Sequence, residues 1–285
     1  MGDTLKVRVG CELTYRSQFE TPMLMTIRTR PESRYHKLLQ EVRRVEPQGA
    51  LGEYIDLYGN YIWRTTVGPG ELKIRHDVLA EVPNAADPVL PGLPMTPISA
   101  LPDDVLLYTL PSRYCQLELF IDDAWKLFGS YRPGWDQVQA ICDWLKRNIR
   151  YESGSTPATS SYEAYRDRHG VCRDFAHLGI VFCRALNIPA RYVCGYLPDI
   201  DFDSGGVPMD FHAWFEAYLD GQWRTFDARH NQPRIGRVLI AQGRDASDVA
   251  FTTTFGNARL TRMLVWADEA RPGETLDDEP APRAG

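Results

Sequence analysis

Apolar and polar residues alternate along much of the chain between positions 4 and 82. Leu5, Val7 and Val9 show this period of two, which returns at 23–27 and 54–58. Such alternation is typical of strands with one buried face. Between positions 82 and 103, six prolines exclude both a helix and a central strand. The pattern therefore predicts a β-rich domain over residues 1–110 that ends in a surface connector.

The apolar period changes to three and four residues after position 134. It runs from Val138 to Ile149 and predicts an amphipathic helix. Residues 171–186 are almost wholly apolar, and Pro189 stops the segment, which favours a buried helix over a strand. Strands are predicted at 190–197, 211–219 and 223–227. These elements predict an α+β core over residues 111–267, followed by an acidic, proline-rich tail at 268–285 that we expect to be disordered.

Charge and composition narrow the class of protein. The 285 residues include 32 basic and 38 acidic side chains, so the chain lacks the basic field that nucleic acid requires. With no apolar leader or lipidation signal, we expect a cytoplasmic protein without membrane contact. Six cysteines without a CxxC pair indicate free thiols. No nucleotide, flavin or metal motif is present, and zinc would need a CxxC or HxxxH set, so no cofactor is expected.

One of these cysteines stands where a helix is predicted to begin. Cys172 follows Gly170-Val171, and unsatisfied N–H groups at a helix N-terminus lower the pKa of a thiol. Cys183 lies deep in the same apolar segment, where a cysteine behaves as a small inert hydrophobe. A free cysteine is ordinarily a buried packing residue, and Cys172 taken alone fits that interpretation too.

A β-hairpin places a histidine and a carboxylate together. Asp220-Gly221 between two alternating segments predicts a two-residue turn that pairs Leu219 with Gln222. That register puts His212 and Asp227 on one face of adjacent strands as diagonal neighbours, within reach of a hydrogen bond. In an arbitrary hairpin such a pair would be a surface contact of small consequence. Because a cysteine at a predicted helix start precedes it in the chain, the His212–Asp227 pair matches the arrangement that nucleophilic thiol catalysis needs.

Other residues remain as alternatives. Asp210 shares a face with His212 and is a second candidate to orient it. His177 points away from Cys172 on the helix. For His169 and His230, a solvated loop position is favoured over the alternative, a position at the edge of the cleft. An acyl-transfer oxyanion needs donors. The candidates are the Cys172 backbone N–H and one of three aromatic side chains, Trp144, Tyr162 or Tyr165.

The order of these motifs resembles the transglutaminase-like superfamily of papain-type thiol enzymes. The segments are GVCRDFA at 170–176, ALNIPARYV at 185–193, HAW at 212–214 and WRTFD at 223–227. The resemblance spans about residues 135–231, and the β-rich part resembles the region that precedes this core in many bacterial members. It implies Cys172 as nucleophile, His212 as general base and acid, and Asp227 as the orienting carboxylate. Family members commonly have a Pro and then small polar residues after the Asp, whereas residues 228–231 of this chain are Ala-Arg-His-Asn. This difference bears on substrate preference.

The expected activity follows from the resemblance together with these residues. We expect a cysteine peptidase or amidase that acts on a peptide or protein amide through a thioester. Transglutaminase activity is the first alternative, because the same triad serves both outcomes. A catalytically idle binding module on the same fold is the second. The oligomeric state stays open.

Overall fold

The computed structural model of the chain describes residues 3–203 and 205–276. The strands are β1 (Thr4–Ser17), β2 (Thr21–Met25), β3 (Lys37–Glu46), β4 (Gly52–Ile55), β5 (Tyr61–Val67), β6 (Gly70–Pro83), β7 (Arg150–Tyr151), β8 (His169–Gly170), β9 (Ala190–Tyr196), β10 (His212–Leu219), β11 (Gln222–Phe226), β12 (Val238–Gly243), β13 (Thr252–Thr254) and β14 (Arg259–Glu269). The helices are α1 (Asp103–Leu106), α2 (Ile121–Phe128), α3 (Trp135–Asn148), α4 (Ser161–Asp167) and α5 (Cys172–Ala185). Among the residues described, no helix is both long and apolar enough to cross a membrane.

The first part of the chain is β-rich, as its alternating pattern predicts. Two four-stranded antiparallel sheets have the strand orders β14-β1-β6-β3 and β13-β2-β5-β4. The alternate apolar residues of β1, Val7, Val9 and Cys11, are all fully buried. The period of two in the sequence therefore marks the face of β1 that packs into the core.

The last strands of the chain return to these N-terminal sheets. β14 pairs with β1 and β13 pairs with β2, both antiparallel. The division of the chain at residues 110 and 267 stays a prediction. It assigns β13 and most of β14 to the second part of the chain, whereas their partners β2 and β1 lie in the first. The expected disordered tail begins inside β14, and Leu276 is buried. Structure therefore continues through residue 276, and positions 277–285 lie outside the described residues.

The second part of the chain has mixed α and β structure, which confirms the α+β fold class. Its sheet has the order β11-β10-β9-β12, and α5 packs against β10 and β9. At Gly179 of α5, an added Cβ would lie 2.4 Å from Cε1 of Phe215 on β10. Helix and sheet approach this closely only because Gly179 has no side chain.

The proline-rich connector runs along the second part of the chain. It contains a 3-10 turn at Ile98–Ala100 and only isolated bridges, from Pro94 to Gly134 and from Met95 to Leu219. The backbone N–H of Asp87 donates to the Arg234 carbonyl at 3.0 Å. One continuous apolar cluster extends from Val7 to Ala267. The two parts of the chain therefore share a core.

Candidate active site

Cys172 is the first residue of α5, as the sequence predicts. The parallel pairing of β7 with β8 leads the chain to this point. The Val171 N–H donates to the Asp174 carboxylate at 2.9 Å, which satisfies one of the free donors at the helix start. Gly170 is needed for close approach, since an added Cβ would lie 2.6 Å from the Cβ of Asp174. Its backbone is not in the left-handed region.

Cys172 is the one half-buried cysteine of the described residues. The other five, Cys11, Cys115, Cys142, Cys183 and Cys194, are at most 2% exposed. Burial raises the pKa of the Cys172 thiol to about 11, although the charge of Arg229 and a hydrogen bond from the Ala213 N–H lower it in part. The sequence predicts a lowered pKa from the helix N-terminus, and that direction is wrong because burial has the larger effect.

The hairpin register is as predicted. β10 pairs with β11 from Leu219–Gln222 to Phe215–Phe226, and the turn residues Asp220 and Gly221 have φ of 48° and 72°. The ladder ends at Phe226, one residue before Asp227. His212 Nε2 and Asp227 Oδ2 are nevertheless 2.6 Å apart. Their side chains are 4% and 3% exposed, which excludes the interpretation as a surface pair.

The imidazole of His212 has one engaged nitrogen and one free nitrogen. Nε2 contacts Asp227, whereas the buried Nδ1 has no hydrogen-bond partner among the described residues. Burial lowers the pKa of His212, and the charge of Asp227 opposes this. His212 and Cys172 line the same cavity of about 540 Å³, the Cys172 cavity. The Ala213 N–H that donates to the Cys172 sulfur comes directly after His212.

Asp227 is held from several sides. Its Oδ2 accepts from Arg237 at 3.3 Å, and its Oδ1 accepts from the His230 N–H at 3.2 Å. Arg237 in turn donates to Asp87 of the connector at 2.9 to 3.1 Å. Burial acts to raise the pKa of Asp227, but the charges and hydrogen bonds of His212 and Arg237 leave it well below its ordinary value. Asp227 is therefore an oriented, ionised carboxylate.

The alternative residues have other roles. Asp210 accepts from the Phe211 N–H at 2.7 Å rather than contacting His212, and burial raises its pKa. His177 accepts from the Ala246 N–H at 3.1 Å inside the core. His169 contacts the Asp167 carbonyl at 3.2 Å. His177, as predicted, takes no part in the site.

His230 belongs to a second cavity beside the pair. This cavity, the His230 cavity, has a volume of about 360 Å³ and also includes His212, Asp210 and Tyr151. The ring centroids of His230 and His212 are 5.0 Å apart. His230 therefore lies at the edge of the cleft, the less favoured of its two predicted positions, because the fold places it against the His212–Asp227 pair.

The three aromatic candidates for an oxyanion donor lie elsewhere. Trp144 and Tyr165 pack on Phe182, with ring centroids 6.0 and 5.7 Å from it, and Tyr162 packs on Phe120. None of the three is among the described residues that line the two cavities. Sequence reasoning missed another aromatic residue, Tyr151. It lines the His230 cavity, and the Arg229 guanidinium lies 3.9 Å from its ring centroid. The pairing of its strand β7 with β8, which leads to Cys172, is visible only in the structure.

One group of side chains has the composition of a metal site. Donor atoms of His212, Asp227 and His230 lie within 4.8 Å of one another. His212 and Asp227 are already bonded to each other, and the guanidinium of Arg237 contacts the same carboxylate oxygen. Arg234 lies 3.4 Å from His230 Nδ1. Two neighbouring guanidinium charges oppose a dication, so this donor set does not fit one.

The fold and site define a mixed α/β protein with a thiol at a helix start beside a buried His–Asp pair. The family model of the transglutaminase-like superfamily matches residues 126–228. A solved structure from Cytophaga hutchinsonii, described as a "putative cysteine protease", is 34% identical with a TM-score of 0.86. The match covers 96% of this chain and 93% of that one. The chain belongs to the transglutaminase-like superfamily.

Mycobacterial proteins are also similar to this chain. The uncharacterised protein ML0607 of Mycobacterium leprae is 28% identical over 73% of this chain and 78% of its own length. The uncharacterised protein Rv2569c of Mycobacterium tuberculosis is 34% identical over 42% of each chain. Neither name states an activity.

Proposed function

We propose that the protein is a cysteine peptidase or amidase in which Cys172 is the nucleophile, His212 the general base and acid, and Asp227 the orienting carboxylate. The observation that carries the proposal is the buried 2.6 Å contact between His212 and Asp227, which leaves Nδ1 without a partner on a histidine that lines the same cavity as Cys172. A buried polar atom without a partner is costly in a native protein. A reacting thiol supplies the partner that Nδ1 lacks.

The chemistry divides into acylation and deacylation. As the Cys172 sulfur attacks the amide carbonyl, its proton passes to His212 Nδ1 and a C–S bond forms. His212 then gives the proton to the leaving amine as the C–N bond breaks, which leaves a thioester. Water attacks the thioester with the imidazole again as base, releasing the acid and the thiol.

Burial favours the neutral forms of both groups before the reaction. It raises the pKa of Cys172 and lowers that of His212, so thiol and imidazole are both uncharged at neutral pH. The proton therefore moves during the attack rather than before it. Asp227 stabilises the imidazolium that results. The Cys172 N–H, free of an intrahelical acceptor at the helix start, is the expected oxyanion donor.

The first test is selective modification of the thiol. Iodoacetamide should alkylate Cys172 in the native protein and leave the other five cysteines intact, as read by peptide mass spectrometry, because all five are buried. The His212→Ala variant should react more slowly at Cys172. Equal reaction rates for the two proteins would show that the imidazole does not activate the sulfur.

The second test measures turnover. Short peptides that include glutamine are incubated with the protein, and new amino termini and ammonia are quantified with and without a primary amine. Hydrolysis that Cys172→Ala abolishes supports the peptidase or amidase, whereas amine incorporation faster than hydrolysis would make the protein a transglutaminase. Activity retained in Cys172→Ala would overturn the proposal.

A further inference from the structure

The Cys172 cavity has an apolar wall that is built by the N-terminal sheets. Leu13 on β1 and Leu260 and Met263 on β14 line this wall. Leu260 and Met263 are 46% and 44% exposed, so the mouth of the cavity presents apolar surface to solvent. Phe211 and Phe251, whose rings stack at 4.2 Å between centroids, line the cavity as well.

The charged residues that line the Cys172 cavity are engaged with other groups. Arg173 pairs with Asp174 at 3.2 Å and donates to the Thr156 carbonyl at 2.6 Å. Asp210 accepts from the Phe211 N–H at 2.7 Å. The volume of about 540 Å³ lies within the range of roughly 300 to 1,000 Å³ that is usual for small-ligand sites. This chemistry suits an apolar group better than a charged one.

The His230 cavity has a mixed lining with more charged side chains. It shares His212 and Asp210 with the Cys172 cavity but does not include Cys172. Five further charged residues line it, namely Lys146, Asp199, Asp203, Arg229 and Arg234. The more apolar and the more charged cavity therefore meet at His212.

The chemistry of the proposed reaction assigns a direction to these two cavities. The acyl carbon bonds to Cys172, so the acyl side of the substrate lies on the side of the sulfur. The leaving amine takes a proton from His212, so the amine side lies toward the imidazole. The Cys172 cavity then receives the acyl side, and the His230 cavity faces the leaving group.

We infer that the Cys172 cavity binds a large apolar side chain next to the scissile carbonyl. The substrate class is a peptide or amide whose acyl-side residue resembles leucine, methionine or phenylalanine. Strands β1 and β14 act as specificity elements, with Met263 at the mouth of the cavity. This inference rests on the proposed function of Cys172.

The test uses acyl-side probes that end in an electrophile. Acetyl-leucine, acetyl-phenylalanine, acetyl-glycine and acetyl-aspartate chloromethyl ketones are compared for their rate of Cys172 modification, read by peptide mass spectrometry. Each rate is divided by that of iodoacetamide, which has no side chain. The leucine and phenylalanine probes should react roughly 10- to 150-fold faster than the glycine probe, the range expected from burying such a side chain.

A matched pair of variants locates the binding site. Met263→Glu puts a carboxylate at the mouth of the Cys172 cavity and should reduce the leucine-to-glycine ratio at least tenfold. Leu264→Glu is the control. Leu264 is also exposed, at 42%, but as the next residue on β14 it faces away from the cavity, so its ratio should stay unchanged.

The outcomes separate this inference from the proposed function. If iodoacetamide modifies Cys172 but the normalised rates of the four probes are equal, the apolar subsite is wrong and the thiol enzyme stands. Equal effects of Met263→Glu and Leu264→Glu would also overturn the subsite. If no reagent modifies Cys172, both the inference and the proposed function fail.

Discussion

Asp227→Asn tests the orienting role of the carboxylate, because it removes the charge and keeps the shape. In the native site, Asp227 Oδ2 is 2.6 Å from His212 Nε2, and both side chains are buried. The variant amide can turn its NH₂ group toward His212. That would place the imidazole proton on Nδ1, the nitrogen that must accept the proton of Cys172.

The size of the effect follows from the charge that is lost. Two unit charges about 4 Å apart attract by about 4 kcal/mol at an effective dielectric constant near 20. Loss of this stabilisation of the imidazolium corresponds to about a thousandfold in rate. We therefore expect kcat/KM for peptide hydrolysis to fall by about 10³- to 10⁴-fold, the wrong tautomer adding to the lost charge. The fold should survive, because Arg237 keeps its contacts with Asp87.

Asp210→Asn is the matched control for this substitution. Asp210 lines the same cavity as His212 but bonds to the Phe211 N–H. We expect kcat/KM to fall by less than about tenfold, because Asp210 forms no hydrogen bond with His212 and its substitution leaves the His212–Asp227 contact intact. Thermal melts of both variants check folding. A loss below tenfold in Asp227→Asn, or an equal loss in Asp210→Asn, would refute the reasoning.

Three further substitutions test the surroundings of the site. The Arg237 guanidinium lowers the pKa of both His212 and Asp227. Arg237→Gln should therefore move the acid limb of the pH profile of kcat/KM to higher pH. An acid limb at the same pH as in the native protein would contradict this prediction. Burial lowers the pKa of His177 to about 4, so this residue costs stability as pH falls from 6.5 toward 4. His177→Gln should therefore reduce the loss of unfolding free energy between pH 7 and 4.5 by roughly 2 to 3 kcal/mol in urea titrations, and an identical loss would argue against it. Gly179→Ala should lower the unfolding free energy by about 1 to 3 kcal/mol, because its Cβ would meet a ring of β10, whereas Gly68→Ala has open space and should be neutral.

The local parts of the site follow from sequence because short-range geometry decides them. A two-residue turn at Asp220-Gly221 fixes the parity of the hairpin, and parity alone puts His212 and Asp227 on one face. An apolar segment that begins at Cys172 likewise fixes the start of α5. Neither step needs knowledge of any distant residue.

The distant parts of the site have no local signal. Asp87 and Arg237 are 150 residues apart, and no period or motif in either segment indicates their contact. The raised pKa of Cys172 depends in the same way on how the chain buries the thiol. The helix dipole is visible in the sequence, whereas the opposing effect of burial appears only when the tertiary structure is known.

Residues outside the family-model match complete the candidate site. The match covers residues 126–228. Arg237, which donates to Asp227, and Asp87, which accepts from Arg237, both lie outside it. Leu13 and Met263 add the apolar wall of the Cys172 cavity. The matched segment thus supplies the three side chains of the proposed triad. The strands around it set how Asp227 is held and what lies beside Cys172, so members that share the triad can differ in substrate through their flanking sheets.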